Sequence, residues 1–421
     1  MIIKNVKVYT EDEIFTDGMV VIRDGRFDQV LTDAGKVKAA ADMRDAADLW
    51  STDGECFDDE VIDGEGAYAI PGLIDIHFHG CKGYDFCDGT KEAIAEIARY
   101  EASIGVTGIC PATMTLPVDE LTRILSVAAS YAADASLAPG GQMAESGRED
   151  AHGARKNAPG ADLLGINMEG PFISTEKKGA QDERSIIPCD AGICGQFLDA
   201  SEGLVKFVGI APERNGDFAS FIRQVKDKVN VSLAHTNADY DTAKAAFDAG
   251  ACHAVHLYNA MPVFTHRTPG VVGAVSDSPQ VNAELICDGV HIHPSVVRAT
   301  FKMMGADRMI LISDSMRATG MPDGRYLLGG LEVDVAGNRA TLVSNGALAG
   351  SATNLMDCMR TAVKEMGIPL ETAVACATKN PAKAIGEYED YGAIAPGKKA
   401  DVVLLDQELK IKAVVKGGVK I

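Results

Sequence analysis

Between residues 71 and 316, short apolar runs alternate with longer, alanine-rich amphipathic segments such as Lys91–Ile104. Apolar runs bounded by Gly, Pro or polar residues predict strands, whereas the longer segments have helical periodicity. Strands that alternate with helices form parallel sheets, and eight such units predict an α/β fold with a closed (β/α)8 TIM-like barrel. The eight apolar runs end near His77, Thr113, Glu169, Ala211, His235, His256, His291 and Asp314.

The two ends of the chain have a different, strand-like pattern. Residues 1–69 contain alternating runs such as IIKNVKVYT, and residues 386–421 contain KADVVLLD and IKAVVKGGVKI. A lone hairpin is only marginally stable in water, so we expect the two pieces to combine. The sequence therefore predicts a small discontinuous β-sandwich domain from residues 1–69 and 386–421, beside a barrel of residues 70–385. Residues 36–60 and 133–162 are polar excursions with no assigned role.

Composition excludes several classes of protein. The 421 residues carry 40 Lys and Arg against 60 Asp and Glu, for a net charge of −20. Nucleic-acid binding depends on clustered basic residues, so this acidic excess argues against a nucleic-acid partner. No run approaches the roughly 18 apolar residues of a membrane span, and the start MIIKNVKVY lacks the apolar core of a signal peptide. The ten cysteines form no CxxC pair, so we expect free thiols, a cytoplasmic location and no membrane contact.

Histidines and carboxylates that could bind a metal or transfer a proton lie at the ends of the predicted strands. The carboxyl ends of barrel strands form the rim at which active sites of this fold lie. A lone histidine there more often bonds a backbone carbonyl than a metal, and a lone Asp before Ser is more often a helix cap. Six residues at one rim instead indicate a functional site: His77, His235, His256, His291, Glu169 and Asp314.

The residue types at this rim match divalent-metal chemistry. Imidazole and carboxylate groups suit zinc, iron or a similar ion. His77 and His79 form an H-x-H pair, and residues i and i+2 of a strand face the same way, so both rings can reach one ion. We expect His253 and His293 to lie behind the ligands or at the surface, and we assign no role to His152.

Ordered motifs along the chain carry a family resemblance. They are PGLIDIHFHG, NMEGPFISTEKKGAQ, GIAPE, AHTNA, HLYNAMPVFTHRTPG, CDGVHIHP, ISDS and LAGSATNLM, followed by GAIAPGKKADVVLLD near the end. Together they resemble the N-acetylglucosamine-6-phosphate deacetylase family of the amidohydrolase superfamily. The resemblance implies metal-dependent hydrolysis of the acetamide of N-acetyl-D-glucosamine 6-phosphate to D-glucosamine 6-phosphate and acetate, in amino-sugar metabolism.

The resemblance also implies a ligand set for the metal. Glu169, His235 and His256 match the main metal triad of the family. His77 and His79 match a pair that holds a second ion in some members, so one or two ions per subunit are expected. Zinc is favoured, although iron, manganese or cobalt can use the same ligands.

Two further positions bear on the chemistry that the resemblance implies. Asp314 matches the family's proton-transfer residue, which accepts a proton from the attacking water and returns it to the leaving amine. Gln181 stands where some members have a histidine that helps to stabilise the oxyanion. Its amide can donate a hydrogen bond but carries no charge, so carbonyl activation would depend more on metal.

Other matches fall on positions that bind the phosphosugar substrate. Arg267 suits a phosphate because its planar guanidinium can donate two hydrogen bonds at once. In the family this arginine commonly comes from the neighbouring subunit, so a homodimer is implied. The remaining substrate-binding candidates are Ala180, Gln181, Asn259, Ala260, Asp288, Gly289, Val290, His291, Leu348, Ala349 and Gly350.

Three alternatives remain open at this point. A cyclic-amide hydrolase of the dihydroorotase or hydantoinase type would bridge two metals with a carbamylated lysine, where this chain has Glu169. A catalytically inactive barrel would be expected to lose a metal ligand or the acid, and none of these residues is missing. The 4-epimer, N-acetylgalactosamine 6-phosphate, differs by one hydroxyl to which no side chain can be assigned.

Overall fold

The computed structural model describes residues 1–32, 60–137 and 160–421, so most of both polar excursions, with Cys56 and His152, lies outside the described residues. Within these ranges the strands are β1 Ile2–Tyr9, β2 Phe15–Arg23, β3 Arg26–Leu31, β4 Val61–Pro71, β5 Leu73–Asp75, β6 Gly80–Cys81, β7 Tyr84–Asp85, β8 Val106–Ile109, β9 Ala112–Thr113, β10 Asp162–Leu163, β11 Ile166–Phe172, β12 Val205–Ile210, β13 Asn230–Leu233, β14 His253–Ala254, β15 Asn282–Ile286, β16 Met309–Ile312, β17 Gly324–Leu328, β18 Leu331–Ala336, β19 Arg339–Leu342, β20 Val402–Leu405, β21 Ile411–Lys416 and β22 Val419–Lys420. The helices are α1 Lys91–Ser103, α2 Val118–Leu137, α3 Ala191–Ala200, α4 Phe218–Val225, α5 Tyr240–Ala249, α6 Gly270–Ser276, α7 Pro294–Met304, α8 Leu355–Lys364, α9 Leu370–Ala377 and α10 Lys379–Ala384.

Parallel strands close into a ring that matches the predicted barrel. One sheet has the order β16-β15-β14-β13-β12-β11-β9, and a second has the order β10-β8-β5. β8 and β9 are two halves of one strand, interrupted at Pro111, which has no N–H to donate. β8 pairs with β5 while β9 pairs with β11, so this strand joins the two sheets. On the other side, the Asp314 amide donates to the His77 carbonyl at 2.9 Å, which brings the ends of β16 and β5 together.

The helices cover the outside of this ring with apolar faces. Thr90 is the N-cap of α1: its hydroxyl accepts a hydrogen bond from the Ala93 amide at 3.1 Å. Ile94 and Ile97 of α1 are fully buried against the strands, as part of one large core cluster. Inside the ring, a second cluster fills the space below the rim with Ile74, Ile76, Phe207, Ile286, Ile310 and Ile312. Because both faces of the parallel strands are buried, the strands are apolar almost throughout.

Both ends of the chain join one sheet, with the order β22-β21-β20-β4-β1-β2-β3. β4 is parallel to β1 and antiparallel to β20, so strands from residues 1–69 and 386–421 lie next to one another. The prediction of one small β-domain built from both termini is thus confirmed. β4 continues to Pro71 and passes into β5 through Gly72, where a Cβ would lie 2.0 Å from the Thr107 hydroxyl. The limits 1–69, 70–385 and 386–421 stay a prediction.

An antiparallel sheet of β17, β18 and β19, which the sequence pattern did not indicate, follows the last barrel strand. Its buried side chains include Leu328, Val333 and Leu342, and they share a cluster with Met114 and Ala180 of the rim. The sheet therefore covers one side of the rim and helps to shape the space above it. In the described part of the chain, no helix is both long and apolar enough to cross a membrane. The nine described cysteines are free, as expected.

Candidate metal centre and active site

Four of the predicted rim residues occupy equivalent positions, two residues after the end of a barrel strand. His77 follows β5, His235 follows β13, His256 follows β14 and Asp314 follows β16, while Glu169 lies within β11. His235, His256 and Asp314 have positive φ angles of 43°, 25° and 50°. Residues other than Gly rarely adopt such angles, and those that do cluster at functional sites. The chain therefore turns sharply at three strand ends and presents these side chains to one point.

Glu169 lies at the centre of the histidines. Its Oε1 is 2.9 Å from His235 Nε2, 2.8 Å from His256 Nε2 and 3.3 Å from His77 Nε2. Its Oε2 is 3.2 Å from His79 Nε2 and accepts a hydrogen bond from the Gln181 amide at 2.7 Å. Burial alone would raise the pKa of Glu169, but the charges of His235 and His77 and the hydrogen bonds of the histidines outweigh it and hold the pKa well below its usual range. Glu169 is therefore an ionised carboxylate.

The protonation of two rings tests whether this cluster fits a metal ion. His235 Nδ1 donates to the Lys177 carbonyl at 2.8 Å, and His256 Nδ1 donates to the Asn259 carbonyl at 3.1 Å. A carbonyl only accepts, so Nδ1 keeps its proton in each ring, and in the neutral form that ligates a metal the lone pair is on Nε2. The two Nε2 atoms lie 3.2 Å apart, and both face Glu169. Two lone pairs and a carboxylate directed at one point are stabilised by a cation between them, so the residues fit a divalent metal.

A second group of possible ligands adjoins the first. Ligand atoms of His77, His79 and Asp314 all lie within 4.8 Å of one another, as do those of His77, Glu169 and His256. His79 Nε2 is 3.4 Å from Asp314 Oδ1, and His77 Nε2 is buried without a hydrogen-bond partner among the described residues. Burial would lower the pKa of His79, but Asp314 and Glu169 raise it to about 10. The two carboxylates therefore favour positive charge at this point as well.

Asp314 lies where the metal-ligand cluster meets a cavity. Its side chain is 12% exposed, compared with 3% for Glu169, and its backbone is fixed by a hydrogen bond from the Ser351 amide at 2.7 Å. Burial would raise its pKa, but the hydrogen bond and charge of His79 and the charge of His77 hold the pKa below its usual value. Asp314 is therefore ionised at neutral pH and can accept a proton.

The cavity above the cluster has a volume of about 330 Å³, which suits a small organic molecule. Of the residues predicted to bind substrate, those that line it are Ala180, Gln181, Asn259, Ala260, His291, Leu348, Ala349 and Gly350. Gln181 is held at both ends of its amide, because its Oε1 accepts from the Thr115 backbone at 2.6 Å while its nitrogen donates to Glu169. Its first role in this structure is thus to orient Glu169.

His291 reaches this cavity from a loop and not from a strand end. β15 ends at Ile286, five residues earlier than the predicted run, because the chain turns at Asp288. The Asp288 carboxylate accepts hydrogen bonds from the amides of Val290 and His291 and from His291 Nδ1, at 2.8, 2.9 and 2.7 Å. Asp288, Gly289 and Val290 are not among the lining residues, and they form the turn that supports His291.

Arg267 lies apart from the metal-ligand cluster. It is exposed and lines a separate cavity with Asp239, Tyr240 and Thr265, among others. Among the described residues of one chain, the cavity above the metal-ligand cluster is therefore not lined by the arginine that the family resemblance assigns to the phosphate.

Sequence reasoning missed the buried carboxylate of Glu284 in β15, which contacts two of the proposed metal ligands. Its fully buried carboxylate accepts hydrogen bonds from the His77 and His253 rings and from the His256 amide. The available signal was a glutamate within the otherwise apolar run VNAELIC. His253 accordingly lies behind the ligands, as expected, while His293 caps α7 at the surface.

Comparison with known proteins places the chain among hydrolases. The model of the amidohydrolase family matches residues 68–421. The N-acetylglucosamine-6-phosphate deacetylase of Bacillus subtilis is 32% identical over 98% of this chain and 94% of its own length. The N-acetylgalactosamine-6-phosphate deacetylase of Escherichia coli O157:H7 is 31% identical, over 84% of this chain and 88% of its own length.

A solved structure agrees with these sequence relatives. It is a mutant of the N-acetyl-D-glucosamine-6-phosphate deacetylase of Mycobacterium smegmatis in complex with N-acetyl-D-glucosamine-6-phosphate. It superimposes with a TM-score of 0.83 at 30% identity, over 100% of this chain and 98% of the other. The predicted fold and the family resemblance are confirmed: this chain belongs to the amidohydrolase family.

Proposed function

We propose that this chain hydrolyses the acetamide of N-acetyl-D-glucosamine 6-phosphate to D-glucosamine 6-phosphate and acetate. One observation carries the proposal: four histidines surround Glu169 at the floor of a sugar-sized cavity, and Asp314 stands at the edge of that cavity. The deacetylases described above are similar over nearly the whole chain, which supports this choice among amide hydrolases. A cyclic-amide hydrolase is not favoured, because Glu169 holds the position of the bridging lysine that such enzymes use.

The proposed cofactor is one or two divalent ions per subunit, with zinc favoured over iron, manganese or cobalt. Glu169, His235 and His256 would hold one ion, and His77 and His79 would hold the second. When bound, such an ion lowers the pKa of a water molecule from 15.7 to about 7 and polarises a carbonyl oxygen.

Asp314 would move the proton in this reaction. As an ionised carboxylate at the cavity edge, it can take a proton from water while the water oxygen attacks the acetamide carbon. When the C–N bond breaks, the same group returns that proton to the nitrogen, which leaves as an amine. Acetate and the amino sugar are then the two products, and Asp314 is ionised again.

The polar groups around the cavity would orient the sugar. His291 is held by Asp288 through Nδ1, so its Nε2 is available for a substrate oxygen. Asn259, Ala260 and the segment 348–350 line the same cavity as His291. Gln181 would donate to the carbonyl oxygen only through the amide N–H that Glu169 leaves unused.

A substrate panel tests the proposed function. Metal-loaded protein should release acetate from N-acetyl-D-glucosamine 6-phosphate with a higher kcat/KM than from the unphosphorylated sugar. Removal of metal with a chelator should abolish the release, and added Zn²⁺, Mn²⁺, Co²⁺ or Fe²⁺ should restore it. The 4-epimer belongs in the panel because one relative is named for it. Turnover of cyclic imides without acetate release would reject the proposal.

We further propose that the chain acts as a homodimer in which Arg267 contacts the phosphate bound by the neighbouring subunit. Arg267 is exposed on a loop where Val263 is 78% and Phe264 44% exposed. Two adjacent exposed apolar side chains offer a surface that a partner subunit would cover in the proposed dimer. Because Arg267 does not line the metal-site cavity of its own chain, a second copy would supply its guanidinium to that cavity.

Arg267→Ala should raise KM for the phosphorylated sugar and leave turnover of the unphosphorylated sugar unchanged. A charge-assisted hydrogen bond contributes about 1.5–3 kcal/mol, so the loss in kcat/KM should be about 10- to 150-fold. Mixing Arg267→Ala and Asp314→Asn subunits should restore activity, because a mixed dimer then has one site with both groups. If mixing restores nothing although mixed dimers form, Arg267 does not act across an interface.

A further inference from the structure

We propose that Glu284 is a positioning residue that holds His77 and the His256 backbone in place for metal binding. The inference rests on the proposed metal centre but not on the identity of the substrate. Glu284 lies in β15 and is fully buried. Its Oε2 accepts hydrogen bonds from His77 Nδ1 at 2.8 Å and from the His256 amide at 3.0 Å, and its Oε1 accepts from His253 Nε2 at 2.8 Å.

A carboxylate at this depth requires several partners. A buried charge is costly unless it is paired and hydrogen-bonded, and Glu284 has three donors on two oxygens. His253 supplies the donor that belongs to no metal ligand. Its ring packs at 4.6 Å from that of Phe207, so the hydrophobic interior of the barrel fixes its orientation. The result is a rigid acceptor directly behind the metal-ligand cluster.

Glu284 decides which nitrogen of His77 is free to bind a cation. A carboxylate only accepts, so His77 carries a proton on Nδ1, and in the neutral form that ligates a metal its lone pair is on Nε2. That Nε2 is the atom that faces Glu169 Oε1 at 3.3 Å and Asp314 Oδ1 at 4.0 Å. Carboxylates in this position fix the tautomer of a ligating histidine and make it more basic.

The Glu284 carboxylate also positions His256, a second proposed metal ligand. His256 has a φ of 25°, an angle that costs energy for a residue with a side chain. The hydrogen bond from its amide to Glu284 helps to hold the chain there, with Nε2 pointing to Glu169. Two groups of ligand atoms converge here: one is His77, His79 and Asp314, and the other is His77, Glu169 and His256. Glu284 therefore links His77, which belongs to both groups, with His256, which belongs to the second.

The test is titration of metal-free protein with Co²⁺, followed by its visible absorption spectrum, which reports the number and geometry of ligands. Glu284→Gln replaces one acceptor oxygen by a donor, so it cannot satisfy all three partners. Loss of a residue behind a metal ligand typically weakens affinity by about 10- to 100-fold, and we expect that loss here, with an altered spectrum. Glu284→Asp, which keeps the charge but withdraws the carboxylate, should show a smaller loss. If the Gln variant does not fold, the Co²⁺ affinity of Glu284→Asp tests the proposal.

Glu101→Gln is the control for loss of a buried carboxyl group, since Glu101 is 1% exposed in α1 and the groups that act on its carboxyl, Asp75 and Cys81, are not proposed ligands. It should bind Co²⁺ like the wild-type protein. Wild-type affinity and spectrum in either folded Glu284 variant would overturn the inference, as would an equal loss in Glu101→Gln. Failure of the wild-type protein to bind Co²⁺ would reject the metal centre itself, so the two failures are distinguishable.

Discussion

Replacing Asp314 with Asn should lower kcat for acetate release by about 10²- to 10⁴-fold, the range that general acid–base catalysis contributes. An amide of the same shape cannot take a proton from water or return one to the amine. The ligand atoms around Glu169 are unchanged by this substitution, so the main ion should still bind. KM for the phosphorylated sugar should change little, because Asp314 acts on the reacting bond and not on the phosphate.

The measurement compares kcat, KM and metal content for the variant and the wild-type protein. Asp334→Asn is a suitable control, since Asp334 is exposed on β18 and pairs with Arg325 away from the cavity. The control should keep the wild-type rate. A fully active Asp314→Asn protein with normal metal content would mean that a different group moves the proton.

The sequence predicts which residues reach the rim because they stand at equivalent positions relative to the ends of their strands. His77, His235, His256 and Asp314 each stand two residues after an apolar strand, so their side chains share one direction relative to the barrel. Parallel strands then bring all of them to the same end. The prediction needs only the order of the strands and the two-residue period of side chains along them.

The same reasoning wrongly extends the strand to His291, because a local turn ends β15 earlier. Asp288 accepts two backbone amides that would otherwise continue the strand pattern, so β15 stops at Ile286 and a turn follows. Hydrogen bonds from a side chain to nearby backbone compete with sheet pairing in this way. The apolar pattern of the run continues past the turn and therefore overstates the length of the strand.

Contacts between residues far apart in the sequence cannot be predicted from strand order and side-chain periodicity. Gln181 orients Glu169 only because the Thr115 amide holds the other end of its side chain, across 66 residues of sequence. Glu284 appears as one acidic residue within an apolar strand, and only the packing shows that three donors surround it. In the sheet of β17 to β19, β18 and β19 alternate exposed with more buried residues and β17 buries only Leu328, but nothing in these short strands indicates that they cover the rim.

Glu169→Gln should remove metal binding as well as activity, which separates its role from that of Asp314. The Glu169 carboxylate faces all four histidines, with Oε1 near His235, His256 and His77 and Oε2 near His79. An amide in its place puts an N–H donor or an uncharged oxygen where several nitrogen lone pairs converge. We expect metal affinity to fall by more than about 100-fold, the upper value for residues that only support a ligand.

Thermal unfolding with and without Zn²⁺ measures this effect without reference to substrate. A ligand that binds only the folded state stabilises it by about 2.7 kcal/mol at 100 times its Kd, so wild-type protein should gain Tm on addition of Zn²⁺. Asp314→Asn should keep most of that gain, and Glu169→Gln should lose it. Glu101→Gln, which replaces a buried carboxyl group elsewhere, should behave as wild type. If Glu169→Gln gains as much Tm as the wild-type protein, then Glu169 is not a metal ligand and the histidines bind the ion without it.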